Sequence, residues 1–295
     1  MMPNILLPAL VADVERQLVA AGVAFGHGTQ CARDEAAWLA LHALGLPPDT
    51  DLDAYADAIT PERRARVDEL LRTRIATRKP LAYLTHEAWL QGVPFYIDER
   101  AIVPRSLIAE VIADGSIDPW LSEHTRRVLD LCTGNGSLAC LAALAWPEVE
   151  VTGADISADA LAVARINVER HGLQQRVRLA QGDGLAACPG PWDLIVCNPP
   201  YVNAASMSAL PPEFRAEPAL ALAGGANGMD FIGVLLRQLR AGPVLSPHGV
   251  LVLEIGHERA HFDAAFPGLP VNGLPTSLGE DQVLLITAEA LALWD

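Results

Sequence analysis

Apolar and polar positions change their rhythm twice along the chain. From Pro8 to about Arg78 apolar residues recur at helical spacing, as in "LPALVADVERQLVAAG" and "RDEAAWLALHALGL", with Gly22 and Gly45 where helices commonly stop. Little β-branching interrupts them, which predicts a small helical bundle. From Leu81 to Pro104 aromatic and β-branched residues gather around Gly92 and Pro94, the pattern of a short hairpin between two domains. From about Val128 near-continuous apolar runs alternate with helical segments. "RRVLDLC", "VEVTGAD", "RVRLAQGD", "WDLIVCN", "GVLVLEIG" and "DQVLLIT" predict strands. "SLACLAALAW" and "SADALAVARINVERHG" predict helices, the second beginning near Ser157 and capped by Gly172. This alternation predicts an α/β fold with a parallel, doubly wound sheet. The expected domains are 1–80, 81–104 and 105–295, with Val202 to Asp230 as a long irregular segment of the kind that often carries function.

Composition narrows what such a fold could bind. Of the 295 residues 51% are hydrophobic and 19% charged, which suits a globular chain. Lys plus Arg number 21 and Asp plus Glu 36, so the net charge is 21 − 36 = −15. Duplex nucleic acid is a poor general partner for so acidic a chain, whereas a basic protein or a small ligand suits it. The local exception is Pro61 to Pro80, with Arg63, Arg64, Arg66, Arg72, Arg74, Arg78 and Lys79. Val67, Leu70, Leu71 and Ile75 keep helical spacing there, so most arginines are expected on the solvated face, with local RNA contact as the alternative. Five cysteines form no C-x-x-C pair, which predicts reduced thiols. No apolar run reaches membrane-spanning length, and the opening lacks the basic start and cleavage site of a secretory signal, so a cytoplasmic location is expected.

The chemistry gathers at strand ends. After the first strand, "DLCTGNGS" offers Cys132, Thr133, Gly134, Asn135 and Gly136, small residues that let backbone approach a ligand at a helix mouth. The second strand ends at Asp155, whose carboxylate can accept both hydroxyls of a ribose; Ser157 is available to cap the next helix instead. The third ends in "QGDG", where Asp183, beside Gly184, is either an acceptor for an adenine amine or a turn residue. Together these ends point to an adenosine-containing ligand. No P-loop lysine or metal-ligand spacing is visible, so no metal is expected. His27, His42 and His171 read as structural.

At the fourth strand end stand Asn198, Pro199, Pro200 and Tyr201. An amide oxygen and a proline carbonyl are acceptors held at fixed separation by rigid residues, a pair that fits a planar NH2 group. Tyr201 can stack on a flat substrate or a cationic methyl donor. Acceptors that follow the N–H bonds as nitrogen becomes positive favour the transition state. These residues alone leave an amide and adenine both open.

"DLCTGNG", "GADIS", "QGD" and "NPPYV", in this order, resemble the seven-strand S-adenosylmethionine-dependent methyltransferases. "LAYLTHEAWLQGVPFYIDERAIVPRSLIAEVI" and "EPALALAGGANGMDFI" resemble the protein-(glutamine-N(5)) methyltransferases within them. "GHGT", "FYIDER" and "VPRS" are similar to the branch that acts on the third large-subunit ribosomal protein, rather than the branch for release factors or the adenine enzymes of DNA. The resemblance spans about Gly26 to Thr287. It implies a Rossmann-like methyltransferase domain over 105–295, preceded by a helical substrate-recognition domain and a hairpin linker. It also implies S-adenosylmethionine as cofactor, S-adenosylhomocysteine as product, and a ribosomal protein or pre-assembly large subunit as partner. Cys132 to Gly136 would wrap the methionine end, Asp155 would hold ribose, and Asp183 with Gly184 would border adenine. Asn198, beside the cofactor, and Pro199 would take the target amide, with Pro200 and Tyr201 lining the pocket. Glu217 is left between substrate contact and loop ordering, and Arg105 between substrate contact and domain linkage.

Overall fold

A computed structural model describes residues 5–294. The first stretch is helical: α1 (Leu7–Ala20), α2 (Ala32–Leu44), α3 (Pro61–Thr77) and α4 (Leu81–Thr85). Leu10, Val14, Leu18, Leu39, Val67 and Leu71 form its core, each at a position that the helical period assigns to one face. Gly22 and Gly45 adopt left-handed φ just past α1 and α2, as a helix stop requires. The segment read as hairpin from Leu81 begins instead with α4, and the hairpin proper is short: β1 (Ala88–Leu90) and β2 (Val93–Phe95).

The second stretch runs α5 (Ile108–Ala113), β3 (Arg127–Leu131), α6 (Ser137–Ala145), β4 (Glu150–Asp155), α7 (Ala158–Arg170), β5 (Val177–Gln181) and β6 (Trp192–Cys197). It continues through α8 (Ala204–Ala209), α9 (Pro212–Arg215), α10 (Asp230–Ala241), β7 (Leu245–Glu254), α11 (Arg259–Ala265), β8 (Asn272–Gly273), β9 (Val283–Thr287) and α12 (Ala288–Leu293). Seven strands form one sheet in the order β5-β4-β3-β6-β7-β9-β8. β3 through β7 are parallel, but β9 runs antiparallel to β7, and β8 antiparallel to β9. The parallel, doubly wound sheet expected from alternation thus holds for β3 through β7, and one edge adds antiparallel strands. The two-residue β8 is too short to leave a periodic signal. Alternate residues of each central strand feed two cores: Leu194 and Val196 of β6 pack on one face, Ile195 and Cys197 on the other. A strand buried on both sides therefore reads as a continuous apolar run.

The chain forms two compact units, and the division is not linear. Leu210–Glu217, which contains α9, belongs with the residues up to Ala88, and the remainder forms the second unit. Within the first unit the Arg74 side chain is wholly buried. Its Nε donates to Glu35 at 2.8 Å, its Nη1 to Glu213 at 3.4 Å and its Nη2 to the Ala24 carbonyl at 3.1 Å. The Arg78 Nε lies 2.7 Å from Glu213. Burial raises the Glu35 pKa, with Arg74 opposing it. The expectation of a solvated arginine face therefore fails for Arg74. Elsewhere on α3, Arg63 donates to the Tyr55 hydroxyl, and Arg64 and Arg72 pair with Asp13 and Glu69. The segment Val202 to Asp230 is likewise more ordered than its composition indicates, since α8, α9 and a 3-10 turn at Ala219–Ala221 lie within it.

Candidate active site

The strand order reverses between β3 and β6, the point at which open parallel sheets bind ligands beyond their carboxyl ends. Register fixes what meets there. Leu131 pairs with Ala154 on one side and Cys197 on the other, and Cys197 pairs with Leu253. Each strand's next residues, Cys132, Asp155, Asn198 and Glu254, therefore emerge side by side from four adjacent strands.

The loop after β3 turns on three left-handed residues, Cys132 (φ 62°), Gly134 (φ 55°) and Gly136 (φ 78°). The last cannot carry a side chain cheaply, because a Cβ there would stand 3.0 Å from the Ala164 Cβ and 3.2 Å from its Cα. Asp130, fully buried in β3, accepts from the Thr133 hydroxyl and from the Ala139 amide and so ties both ends of the loop. Burial pushes its carboxyl up to about 7. Asn167 on α7 donates to the Asn135 carbonyl at 2.8 Å and to the Tyr96 carbonyl at 3.0 Å. The buried Asn135 accepts from the Ser137 amide, while its Nδ2 has no protein partner among the described residues.

Asp155 accepts from the Gly134 and Ser157 amides, both at 2.9 Å, and burial raises its pKa against those bonds. Ser157 itself caps α7 by accepting from Ala160. The Asp155 carboxylate thus fastens the β3 loop to the β4 end and keeps further lone pairs for a ligand. Ile156, beside it, exposes an apolar side chain. Asp183 is exposed after β5, its carboxylate has no partner among the described residues, and Gly184 follows at φ 55°. An orphaned buried amide N–H, a left-handed cradle and a free carboxylate beyond β5 fit a polar, adenosine-bearing cofactor.

After β6, Asn198 is half-buried, and its side-chain amide has no protein partner among the described residues. Pro199 is buried and Pro200 half-buried. Tyr201 donates its hydroxyl to Glu254 at 3.1 Å. Burial and then the Glu254 charge push its phenol pKa up, and Arg105 pulls the other way. Arg105 also donates to the Val103 carbonyl. Glu217, by contrast, lies in the first unit, its side chain fully buried 3.4 Å from His27. His171 binds the Pro94 carbonyl, a structural contact. All five cysteines are free thiols.

Sequence reading passed over Asp130, Asn167 and Glu254. The available signal was a polar residue inside an apolar run, as in "VLDLC" and "LVLEIG". Among the described residues no cluster of three or more His, Cys, Asp or Glu could hold a metal ion, and no helix is long and apolar enough to cross a membrane.

Residues 117–225 match the Methyltransferase small domain family. The ribosomal protein uL3 glutamine methyltransferase of Bordetella pertussis is 55% identical over 287 residues, covering 96% of this chain and 95% of the relative. Its namesake from Burkholderia pseudomallei is 48% identical over 296 residues, with 95% of each chain covered. Among solved structures, the hMettl16 catalytic domain in complex with MAT2A 3'UTR hairpin 6 is similar at a TM-score of 0.52 and 13% identity. That match covers 80% of this chain and 85% of the other, a likeness of fold alone. With near-complete mutual coverage at such identity, the chain belongs to the ribosomal protein uL3 glutamine methyltransferase family.

Proposed function

We propose that this protein methylates the side-chain amide nitrogen of a glutamine in ribosomal protein uL3, with S-adenosylmethionine as donor. Membership of the family carries the reaction, and the names of the relatives carry the substrate. The observation in the molecule that supports it most is the unpartnered Asn198 amide, held beside the cradle by the parallel pairing of β3 and β6.

The residues that would hold the cofactor are Cys132 to Gly136 at its methionine end, Asp155 at ribose, and Asp183 with Gly184 at adenine. When bound, its sulfonium supplies an electrophilic methyl carbon. Asn198 through its side-chain oxygen and Pro199 through its carbonyl would accept the two N–H bonds of the target amide and aim the nitrogen lone pair. As the nitrogen becomes positive both bonds strengthen, so they act on the transition state more than on the bound substrate. Holding two reactants in line removes much of the entropic barrier, roughly 7–11 kcal/mol in ideal intramolecular cases. The proton leaves the nitrogen after transfer, so no strong base is needed. Pro200 and Tyr201 would wall the pocket, and Arg105 stands beside Tyr201.

The −15 net charge suits a basic ribosomal protein. We place the reaction in the cytoplasm, on free uL3 or an assembling large subunit, while the glutamine is accessible. Incubation with methyl-labelled cofactor tests the reading, using purified uL3, a peptide release factor and duplex DNA as parallel substrates. Label on a uL3 glutamine is expected; label confined to the release factor or to DNA overturns it.

A further inference from the structure

Glu254 ends β7 and is 4% exposed. Its Oε1 accepts from the Tyr201 hydroxyl at 3.1 Å. Its Oε2 accepts from the Ser106 hydroxyl at 2.5 Å and from the Leu107 amide at 2.9 Å. All three partners are neutral donors, so hydrogen bonds rather than a countercharge must stabilise the carboxylate. Burial accordingly raises its pKa against those bonds. A carboxylate kept at such cost inside an apolar strand is more than filler, because a leucine there would remove the desolvation penalty.

Its partners come from two segments distant in sequence. Tyr201 closes the Asn198–Pro199–Pro200 turn, and Ser106–Leu107 opens α5 immediately after Arg105. The residues beyond Glu254 support the same turn. Gly256 (φ 53°) leaves room for the Tyr201 ring, since a Cβ there would stand 2.5 Å from it. Glu258 accepts from the Asn203 amide at 2.7 Å. Gly224 and Gly228 also press on the turn: a Cβ on Gly224 would stand 2.8 Å from the Pro200 carbonyl oxygen, and one on Gly228 2.2 Å from that of Tyr201. The turn therefore has little freedom except through the hydroxyl that Glu254 holds.

We infer that Glu254 is a positioning residue for methyl transfer, fixing the Tyr201 ring and the Arg105–Leu107 turn relative to the acceptors Asn198 and Pro199. The inference rests on the proposed reaction, but not on which substrate carries the glutamine. Glutamine in place of Glu254 keeps the shape, but with its one oxygen turned to Ser106 and Leu107 its NH2 can only donate to the Tyr201 oxygen, so the bond from the hydroxyl to a carboxylate that fixes Tyr201 is lost.

The test is a kinetic double-mutant cycle with whichever substrate the unmodified protein labels, run alongside calorimetric titration of S-adenosylhomocysteine. If the unmodified protein labels no glutamine, the functional reading fails; the ratios within the cycle judge Glu254 separately. Glu254→Gln is expected to lower kcat about 10- to 100-fold, with the cofactor Kd within about threefold of the parent. In a Tyr201→Phe background the same substitution is expected to cost less than about threefold, because the interaction it breaks is already gone. An unchanged kcat, a loss confined to cofactor binding, or full additivity with Tyr201→Phe overturns the inference. Should Glu254→Gln fail to fold, Ser106→Ala crossed with Tyr201→Phe serves in its place: coupling of their effects on kcat supports the inference, and strict additivity overturns it.

Discussion

Two loops leave adjacent strands of one sheet and are built on opposite principles. The loop after β3 uses left-handed residues and buried carboxylates, and most of its polar atoms bond within the protein: Asp130 to Thr133 and Ala139, Asp155 to Gly134 and Ser157. The loop after β6 uses prolines for rigidity and leaves the Asn198 amide unpartnered among the described residues. On the proposed function, the first would bind the cofactor by its shape and the second would hold the reacting amide with its acceptors. Damage to the first should therefore appear in stability and cofactor affinity, and damage to the second in the chemical step.

Asn198→Ala should break the second loop most cleanly. Losing one electrostatic contact made in the transition state typically costs about 100- to 1,000-fold in kcat. Single-turnover kinetics should show that loss, while melting temperature and cofactor Kd stay near those of the parent; a loss in cofactor Kd alone would erase the contrast between the loops. Gly136→Val should break the cradle instead. A left-handed β-branched residue driven against Ala164 should cost roughly 2–5 kcal/mol of stability, read by denaturant unfolding. Wild-type stability there would show that the close approach is not needed.

Asp155→Ala removes a charged acceptor from two backbone amides. Calorimetry should show cofactor binding weakened about 10- to 100-fold, as loss of a hydrogen bond to a charged group implies, with kcat at saturation affected far less.

The smallest effect is a pH dependence. The folded-state pKa of Asp130, about 7, lies above its ordinary 3.8, so the native state binds more protons between those values. Its contribution to stability is therefore fully present below about pH 4 and is lost as pH rises towards 7. Asp130→Asn should flatten that part of the melting-temperature profile relative to the parent, and parallel profiles would contradict the assignment.

Much of this was legible in the residue pattern. The central strands announced themselves because burial on both faces demands unbroken apolar runs, and Gly136 and Pro199–Pro200 marked loops that only such residues permit. The antiparallel β9 was not distinguishable from a parallel strand, since both faces are apolar either way. Arg74 looked like one more solvated arginine; its burial depends on Glu213, 139 residues away, which no local period encodes. Glu217 follows the Asn198–Tyr201 turn in sequence yet packs with His27 in the helical unit, a pairing set by the non-linear division of the chain. Glu254 was missed for the opposite reason. It interrupts an apolar strand, and that interruption was the signal.

Mass spectrometry of ribosomal proteins decides whether this protein methylates a glutamine of uL3. Ribosomes from cells with and without the gene, and from cells carrying Asn198→Ala, would be digested and compared. One methyl group is expected on a single uL3 glutamine, present only with the unaltered gene. An unmethylated uL3 in all three samples, with a methyl difference on a release factor instead, would contradict it.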